Sequence, residues 1–177
     1  LMPGGDLGFL LSGRKKGKDF DPLPEEAIKY YLGSMALGLA ALHEAGFVYR
    51  DLKPENIVLD TRGFAKIVDF GFAKELARNS KTWTFCGTPD YMAPEIVMEE
   101  KYDNAVDWWS LGILVYEMTT GQLPFRSKDD DLSISFLNIL TGPWVVRRPM
   151  RPGTVCAMHS YARPCRLAPL STAAYEH

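Results

Sequence analysis

The sequence predicts a mainly α-helical fold with a few short β-strands. Apolar residues recur at helical spacing between Pro24 and Gly46, which is the pattern of an amphipathic helix. Residues 105–120 are apolar on nearly every side, which is typical of a helix at the centre of a fold. Three short apolar segments, punctuated by Pro54 and Gly63, lie between these helices. We therefore expect a helical core, with short strands and turns that carry a site.

The composition is that of a soluble globular chain. Of the 177 residues, 46% are hydrophobic and 24% are charged, which excludes disordered, collagen-like and disulfide-rich chains. No apolar run approaches the roughly 18–20 residues of a spanning helix, and no signal peptide is recognisable. The formal net charge of −2 argues against a nucleic-acid binder driven by bulk charge. Three scattered cysteines favour a reducing compartment, so we expect a cytoplasmic protein without a membrane span.

The first long helix is predicted to follow a glycine-rich start. Residues 1–19 are loop-like, with one helical turn. Pro24 is tolerated as a first helical residue, Glu25 and Glu26 suit the first turn, and Gly46 marks the end. The apolar spacing predicts one buried face, made of Ile28, Tyr31, Leu32, Met35, Leu39 and Leu42.

Short strands and a central helix are predicted next. The strands are expected at 47–49, 57–59 and 65–68. The helix at 105–120 ends before Gly121, because glycine suits the left-handed position that follows a helix. The polar members of this buried helix need partners; they are Asp107, Ser110 and Glu117.

The C-terminal end differs in composition from the rest. Residues 1–130 contain 15 basic and 20 acidic side chains, whereas residues 131–177 contain five arginines and two acids. After one short helix predicted at 133–140, prolines are frequent and no periodic apolar pattern is present. We therefore divide the chain into a domain at 1–142 and an unassigned tail at 143–177, which we expect to be disordered or mispredicted.

Three ordered strings carry the chemistry. Residues 49–56 read Tyr-Arg-Asp-Leu-Lys-Pro-Glu-Asn, residues 69–71 read Asp-Phe-Gly, and residues 93–95 read Ala-Pro-Glu. The protein-kinase signature has the same order, as H-R-D-L-x-x-x-N, D-F-G and A-P-E, with Tyr49 here in place of the histidine. The chain therefore resembles the C-terminal lobe of a eukaryotic protein kinase, over residues 1–126.

Phosphoryl transfer explains why these residue types are needed. It requires a positioned hydroxyl group and strong charge neutralisation, with little covalent work by the protein. Asp51 would orient the hydroxyl group or accept its proton, and Lys53 can reach the transferring phosphate as a point charge. Asn56 and Asp69 offer oxygen ligands to Mg²⁺, and Gly71 permits a sharp turn beside the metal.

Other strings narrow the resemblance. Residues 53–55 read Lys-Pro-Glu, as in serine/threonine kinases. The strings at 69–74, 82–89 and 106–109 resemble the cyclic-nucleotide-dependent branch of the AGC kinases, cGMP-dependent or cAMP-dependent. The resemblance implies ATP and Mg²⁺ as cofactors and protein substrates with basic residues before the target Ser or Thr. It also implies a cyclic-nucleotide-binding regulatory domain or subunit as a partner.

The resemblance assigns roles around the activation segment, which lies between the strings at 69–71 and 93–95. Thr84 corresponds to the threonine that is phosphorylated in this branch, with Arg50 and Lys74 as the partners of the phosphate. The alternative for Thr84 is an ordinary exposed loop threonine. Thr88 would tie the segment to the catalytic loop, and Asp107 resembles the buried acid that holds the backbone of that loop.

The resemblance also assigns the two binding sites. The nucleotide site would consist of Asp6, which contacts the ribose, Val58, which packs beneath the adenine, and Lys53, Glu55, Asn56 and Asp69. Acids in the peptide site would favour upstream arginines through bidentate pairing, and an apolar pocket would take the residue after the target. The peptide site would consist of Asp6, Glu55, Thr88, Asp90 and Glu117, with Phe85, Pro89 and Met92 in the pocket. The alternative for Glu117 is a helix residue bonded within the core.

The resemblance is incomplete. The sequence contains no G-x-G-x-x-G-x-V loop, strand lysine or helix glutamate, so we expect the lobe that clamps ATP from above to be absent. Lys29 and the basic cluster at 13–18 imitate those parts, but a solvated helix lysine and a solvated basic loop are expected. Three hypotheses follow: an active kinase, an inactive fragment that acts as a peptide-binding or regulatory module, and an incomplete gene model whose flanking sequence restores both ends.

Overall fold

The computed structural model describes residues 4–16, 19–77 and 79–142, so the tail predicted at 143–177 lies outside the described residues. The helices are α1 (Leu7–Ser12), α2 (Glu25–Glu44), α3 (Pro94–Val97), α4 (Ala105–Thr120) and α5 (Leu132–Thr141). The strands are β1 (Lys15–Lys16), β2 (Asp19–Phe20), β3 (Phe47–Val48), β4 (Ile57–Leu59), β5 (Ala65–Ile67) and β6 (Lys74–Glu75). The prediction of a mainly α-helical fold with short strands is confirmed.

Helices α2 and α4 pack against each other and form much of the core. The predicted apolar face of α2 turns inward, because it matches the helical repeat. Ile28, Met35 and Leu39 are buried, and Tyr31, Leu32 and Leu42 are partly buried against the same cluster. The helix begins at Glu25, so Pro24 caps it rather than being its first residue.

Helix α4 is buried on nearly all sides, as its composition predicted. The ring of Trp109 stacks on that of Phe125, with centroids 5.8 Å apart. The hydroxyl of Ser110 donates to the carbonyl oxygen of Tyr91 at 2.8 Å, which supplies the partner that a buried polar group needs. Gly121 ends the helix with a φ of 71°, as the left-handed position requires.

The strands form three separate antiparallel pairs. Strand β4 pairs with β5 near the predicted positions, with Ile57 opposite Ile67. Strand β3 pairs with β6, a strand the sequence did not indicate. The stretch expected to be a loop contains a third pair, in which β1 and β2 place Lys15 opposite Phe20. The missed strands β1, β2 and β6 each combine charged residues with a length of two, so they show neither the apolar run that marks β3 nor an alternating pattern.

Two smaller expectations are confirmed. The short helix predicted at 133–140 is α5, and Asp131 Oδ1 accepts a hydrogen bond from Ser133 N at 2.8 Å at its start. Lys29 is an exposed helix lysine that pairs with Glu25 and Glu26 of its own helix, at 3.2 and 3.0 Å. Within the described residues, none of the helices is both long and apolar enough to cross a membrane.

Candidate active site

The buried carboxylate of Asp107 holds the start of the predicted catalytic loop, residues 49–56. This side chain of α4 is 0% exposed. Its Oδ2 accepts a hydrogen bond from Tyr49 N at 2.9 Å, and its Oδ1 accepts one from Arg50 N at 2.7 Å. His43 Nε2 lies 2.7 Å from Oδ2. The prediction that Asp107 requires partners is confirmed, and these bonds fix the backbone just before Asp51.

The catalytic loop converges on Asp51, which is 4% exposed. Its Oδ1 accepts a hydrogen bond from Thr88 Oγ1 at 2.6 Å, and its Oδ2 accepts one from Asn56 Nδ2 at 2.9 Å. Lys53 Nζ lies 3.0 Å from Oδ2 and donates to Thr88 Oγ1 at 2.9 Å. The structure thus brings together four residues that lie up to 37 positions apart.

Two residues of the site have unusual backbone angles. Arg50 and Asp69 have φ values of 73° and 58°, in the left-handed region that residues with a Cβ rarely adopt. The bond from Arg50 N to Asp107 holds the first. At the second, Asp69 Oδ1 accepts a hydrogen bond from Gly71 N at 3.1 Å. Such angles persist where surrounding contacts hold them, often at functional sites.

Tyr49 fills the position that holds histidine in the family signature. Its hydroxyl donates to the carbonyl oxygen of Val68, and its ring meets that of Phe70 edge to face at 5.6 Å. Burial raises the pKa of Tyr49 well above its ordinary value, so the hydroxyl remains a donor. Tyr49 therefore ties the catalytic loop to the segment that carries Asp69.

The predicted nucleotide residues lie near α1 and β4. Asp6 Oδ1 accepts a hydrogen bond from Phe9 N at 2.7 Å and caps α1. The second carboxylate oxygen, Oδ2, takes no part in this cap. The backbone of Asp6 bridges to Val58 of β4. The structure brings these two residues together, and the side chain of Asp69 is exposed.

The two cations assigned to Thr84 reach it through one intermediate residue each. Lys74 Nζ donates to Thr82 Oγ1 at 2.8 Å, and that oxygen lies 3.4 Å from Thr84 Oγ1. Arg50 Nη1 donates to Tyr102 Oη at 3.3 Å, and Tyr102 donates to the carbonyl oxygen of Thr84 at 2.6 Å. Burial raises the pKa of Tyr102 to about 12. The exposed Thr84 is thus linked to each of the two cations through one intervening side chain.

The predicted peptide acids influence one another. Glu117 Oε2 accepts a hydrogen bond from Tyr91 Oη at 2.5 Å. The pKa of Glu117 lies above its ordinary value, first because of burial and then because of the negative charge of Glu55, and that of Asp90 adds to it. Burial also raises the pKa of Asp90, whose Oδ2 lies 3.8 Å from Arg126 Nη1.

The residues of the predicted apolar pocket differ in exposure. Met92 is 4% exposed and belongs to the core, whereas Phe85 is 49% exposed. The ring of Phe85 meets that of Phe136 of α5 edge to face, with centroids 6.2 Å apart. Pro89 begins the short 3₁₀ turn after Thr88. Helix α5 therefore supports one wall of the predicted pocket.

Sequence reasoning missed the residues that link the predicted ones. They are His43, Thr82, Tyr91, Tyr102 and Phe136. Each contacts its partner across the fold or across a loop, so no local spacing reveals it. The one available signal was the general rule that buried polar groups such as Asp107 and Glu117 are hydrogen-bonded.

Comparison with known proteins identifies a family and similar sequences. The protein kinase domain family matches residues 1–146. The cGMP-dependent protein kinase, isozyme 1, of Drosophila melanogaster is 48% identical over 126 residues, which cover 71% of this chain and 16% of that protein. A cAMP-dependent protein kinase catalytic subunit of Arthrobotrys oligospora is 49% identical over 142 residues, which cover 80% of this chain and 26% of that protein. Human ribosomal protein S6 kinase alpha-1 is 53% identical over 130 residues, which cover 73% of this chain and 17% of that protein.

These relatives all belong to the AGC group, and the similarity is as high to an S6 kinase as to the cyclic-nucleotide-dependent kinases. The chain spans only 16% to 26% of the length of these three proteins. The ordered motifs, the site geometry and the family match lead to one assignment. The chain belongs to the protein kinase family and is by family a serine/threonine protein kinase of the AGC group.

Proposed function

We propose that this chain belongs to a kinase that transfers the γ-phosphoryl group of ATP to Ser or Thr of basic protein substrates. It supplies the acceptor side of the site, meaning the residues that bind the protein substrate and position its hydroxyl group. The observation that carries the proposal is the closed set of contacts among Asp51, Lys53, Asn56 and Thr88. Hydroxyl, amide and ammonium donors orient the carboxylate of Asp51. A carboxylate held in this way suits a residue that positions a substrate hydroxyl and takes its proton.

Each member of this set has a separate role. Asp51 accepts the hydrogen of the substrate hydroxyl group. Lys53, 3.0 Å from Asp51 Oδ2, places a positive charge where the phosphoryl group arrives. Thr88 donates to Asp51 and accepts from Lys53, so it couples the position of the activation segment to both groups.

The donor atoms suit Mg²⁺. Asn56 Nδ2 donates to Asp51 O and Oδ2 at 2.8 and 2.9 Å, so Asn56 Oδ1 is the atom that can act as a ligand, together with the Asp69 carboxylate. Among the described residues there is no group of three or more His, Cys, Asp or Glu side chains that could hold a metal ion by itself. Mg²⁺ commonly uses one or two protein ligands and takes the others from phosphates and water. When bound, ATP would supply the phosphoryl group and Mg²⁺ would neutralise its negative charge.

The acids at the peptide site support a basic substrate class. The half-buried carboxylate of Glu117 lies near the charges of Glu55 and Asp90, and guanidinium groups form bidentate pairs with carboxylates. We extend the proposal to a cyclic-nucleotide-binding regulatory domain or subunit, because two of the relatives are named as cyclic-nucleotide-dependent kinases. We also propose a cytoplasmic location, because three scattered cysteines favour a reducing compartment.

A phosphotransfer assay tests the proposal. The substrate is a serine peptide with two upstream arginines, and the readout is transfer of label from γ-labelled ATP. Asp51→Asn is expected to lower the rate at least about a hundredfold, because it removes the proton acceptor. Asp60→Asn is the matched control, since Asp60 is a turn acid that caps Arg62 N and Phe64 N. Equal rates for the wild-type chain and Asp51→Asn would contradict the proposal.

A second candidate is a peptide-binding module without turnover. It is favoured by the acids grouped at the predicted peptide site, where the half-buried Glu117 lies near the charges of Glu55 and Asp90. Peptide binding without label transfer would support this module. Reading the transcript upstream of Leu1 and downstream of Phe125 for the other parts of a kinase domain separates both candidates from an incomplete gene model.

A further inference from the structure

The hairpin formed by β1 and β2 is held at its base by one arginine. Arg14 Nε donates to the carbonyl oxygen of Asp21 at 2.7 Å, and Arg14 Nη2 donates to that of Pro22 at 3.0 Å. Arg14 Nη2 also pairs with Asp21 Oδ2 at 3.1 Å. The backbone of Asp21 donates to Arg14 O at 3.1 Å. Four contacts therefore fix where the hairpin leaves the fold.

The register of the hairpin places Lys15 on the hairpin face that packs against the end of α4. Lys15 lies directly opposite Phe20, and residues opposite each other in an antiparallel pair project from the same face. Phe20 packs against the end of α4, because a Cβ on Gly121 would lie 2.3 Å from Phe20 Cγ. Gly121 N donates to Glu117 O at 2.8 Å, so Glu117 lies one helical turn away on the same face.

The charge of Lys15 acts on that carboxylate. Burial raises the pKa of Glu117, and Lys15 opposes this by favouring the ionised form. Glu55 and Asp90 both act in the opposite direction to Lys15. A comparable arrangement exists at Asp90, where the guanidinium of Arg126 lies 3.8 Å away. Two of the peptide acids therefore have a cation of the chain nearby.

We infer that Lys15 is a specificity-determining residue, whose ammonium group weakens the attraction of Glu117 for a basic residue of the substrate. The inference rests on the proposed function, because it concerns the peptide site of that reaction. A substrate arginine that approaches Glu117 meets an ionised carboxylate whose negative charge is already partly offset by the ammonium group of Lys15. The site therefore discriminates less between charged and neutral residues upstream of the target than Glu117 would without the charge of Lys15.

The expected effect is modest because Lys15 is exposed. Exposed charge pairs interact weakly, by an amount that corresponds to about a two- to fivefold change in affinity. Salt screens such pairs strongly once the Debye length falls below their separation. A salt-sensitive change of a few-fold in discrimination, without a change in folding, is therefore the signature of this role.

Fluorescence anisotropy on the full 177-residue chain measures that discrimination. The probes are a labelled serine peptide with two upstream arginines and the same peptide with both replaced by citrulline, a neutral isostere. The measured quantity is the affinity for the arginine peptide divided by the affinity for the citrulline peptide. Lys15→Gln is expected to raise this ratio about two- to fivefold in low salt, whereas Lys15→Arg keeps the wild-type ratio. Lys66→Gln is the matched control, because it removes the same charge from an exposed residue of β5.

Two further arms decide the outcome. Combined with Glu117→Gln, the Lys15→Gln change should leave the ratio unaltered, since the carboxylate is gone. If Lys15→Gln and Lys66→Gln raise the ratio equally, bulk charge explains the effect and the inference fails. If the wild-type chain prefers arginine but Lys15→Gln leaves the ratio unchanged, the inference fails while the proposed function stands. If the wild-type chain has no preference for arginine, both the inference and the proposed substrate class fail.

Discussion

The two sides of the candidate active site differ in how the protein holds them. On the acceptor side, Asp107 and Asp51 are 0% and 4% exposed, and their carboxylate oxygens bond to groups of the same chain. On the nucleotide side, Asp69 is exposed and its neighbours Phe70 and Phe72 are 50% and 44% exposed. The comparison indicates that bonds within the chain hold the acceptor side in place, whereas the predicted nucleotide side exposes its side chains.

The largest effect is expected where the acceptor side is most deeply buried. Asp107→Asn keeps the shape of the side chain but replaces one acceptor oxygen with an NH₂ group. A backbone N–H of Tyr49 or Arg50 then loses its partner, and His43 loses a charged neighbour. Breaking a buried charged network of this kind costs about 3–5 kcal/mol, which urea unfolding of the chain measures.

Asp131→Asn is the control for that substitution. Asp131 is an exposed acid at the start of α5 that also accepts hydrogen bonds from two backbone N–H groups. Because asparagine is nearly as good a helix cap as aspartate, the loss should stay below about 0.5 kcal/mol. Equal losses for Asp107→Asn and Asp131→Asn would contradict the view that Asp107 anchors the site.

A second test concerns the contact of the activation segment with the catalytic loop. Gly87 has a φ of 110°, and a Cβ there would lie 2.6 Å from the carbonyl oxygen of Arg50. Gly87→Ala therefore combines backbone strain with a steric clash, and we expect a loss of about 2 kcal/mol. Gly63→Ala is a matched control, because Gly63 has a φ of 82° but open space around it. Thermal unfolding should show the larger loss for Gly87→Ala.

The third test asks whether Thr88 positions the catalytic groups. Thr88→Ala removes the donor to Asp51 and the acceptor for Lys53. We expect the rate of phosphate transfer to the arginine peptide to fall about tenfold, because misplaced catalytic groups lose part of the rate enhancement that comes from correct positioning. Thr88→Ser keeps the hydroxyl group and should restore most of the rate. An unchanged rate in Thr88→Ala would show that the bond has no role in catalysis.

The sequence predicted the long helices because their patterns are local. The repeat from Ile28 to Leu42 specifies the buried face of α2, and the apolar run before Gly121 specifies α4. Strands β1, β2 and β6 each combine charged residues with a length of two, so they show neither an apolar run nor an alternating pattern. They form because distant contacts hold them, such as the packing of Phe20 on Gly121.

The connections within the candidate site were predicted only in part, because those of Thr88 and Asp107 to the catalytic loop followed from the resemblance and others did not. The strings around Asp51 and Asp69 could be recognised because their order along the chain is fixed. The links from His43 to Asp107 and from Tyr91 to Glu117 join residues 64 and 26 positions apart. The requirement that buried polar groups be paired predicted that such partners exist, but their identity depends on the tertiary fold.

The smallest expected effect concerns the acidity of Glu117. Burial raises its pKa above the ordinary 4.5, and the carboxylate attracts an arginine only when it is ionised. As pH falls through the raised pKa, the affinity for the arginine peptide should therefore decline at a higher pH than for an ordinary glutamate. Anisotropy titrations at several pH values measure this decline, which Glu117→Gln should remove.

Tyr91→Phe sharpens this test, because the hydrogen bond from Tyr91 lowers the pKa of Glu117 and partly offsets the effect of burial. Without that bond the pKa should rise further, so the decline in affinity should move to a still higher pH. A shift in the opposite direction would mean that the negative charge of Glu117 is not stabilised by Tyr91. The peptide acids would then resemble the exposed side of the site rather than the internally bonded acceptor side.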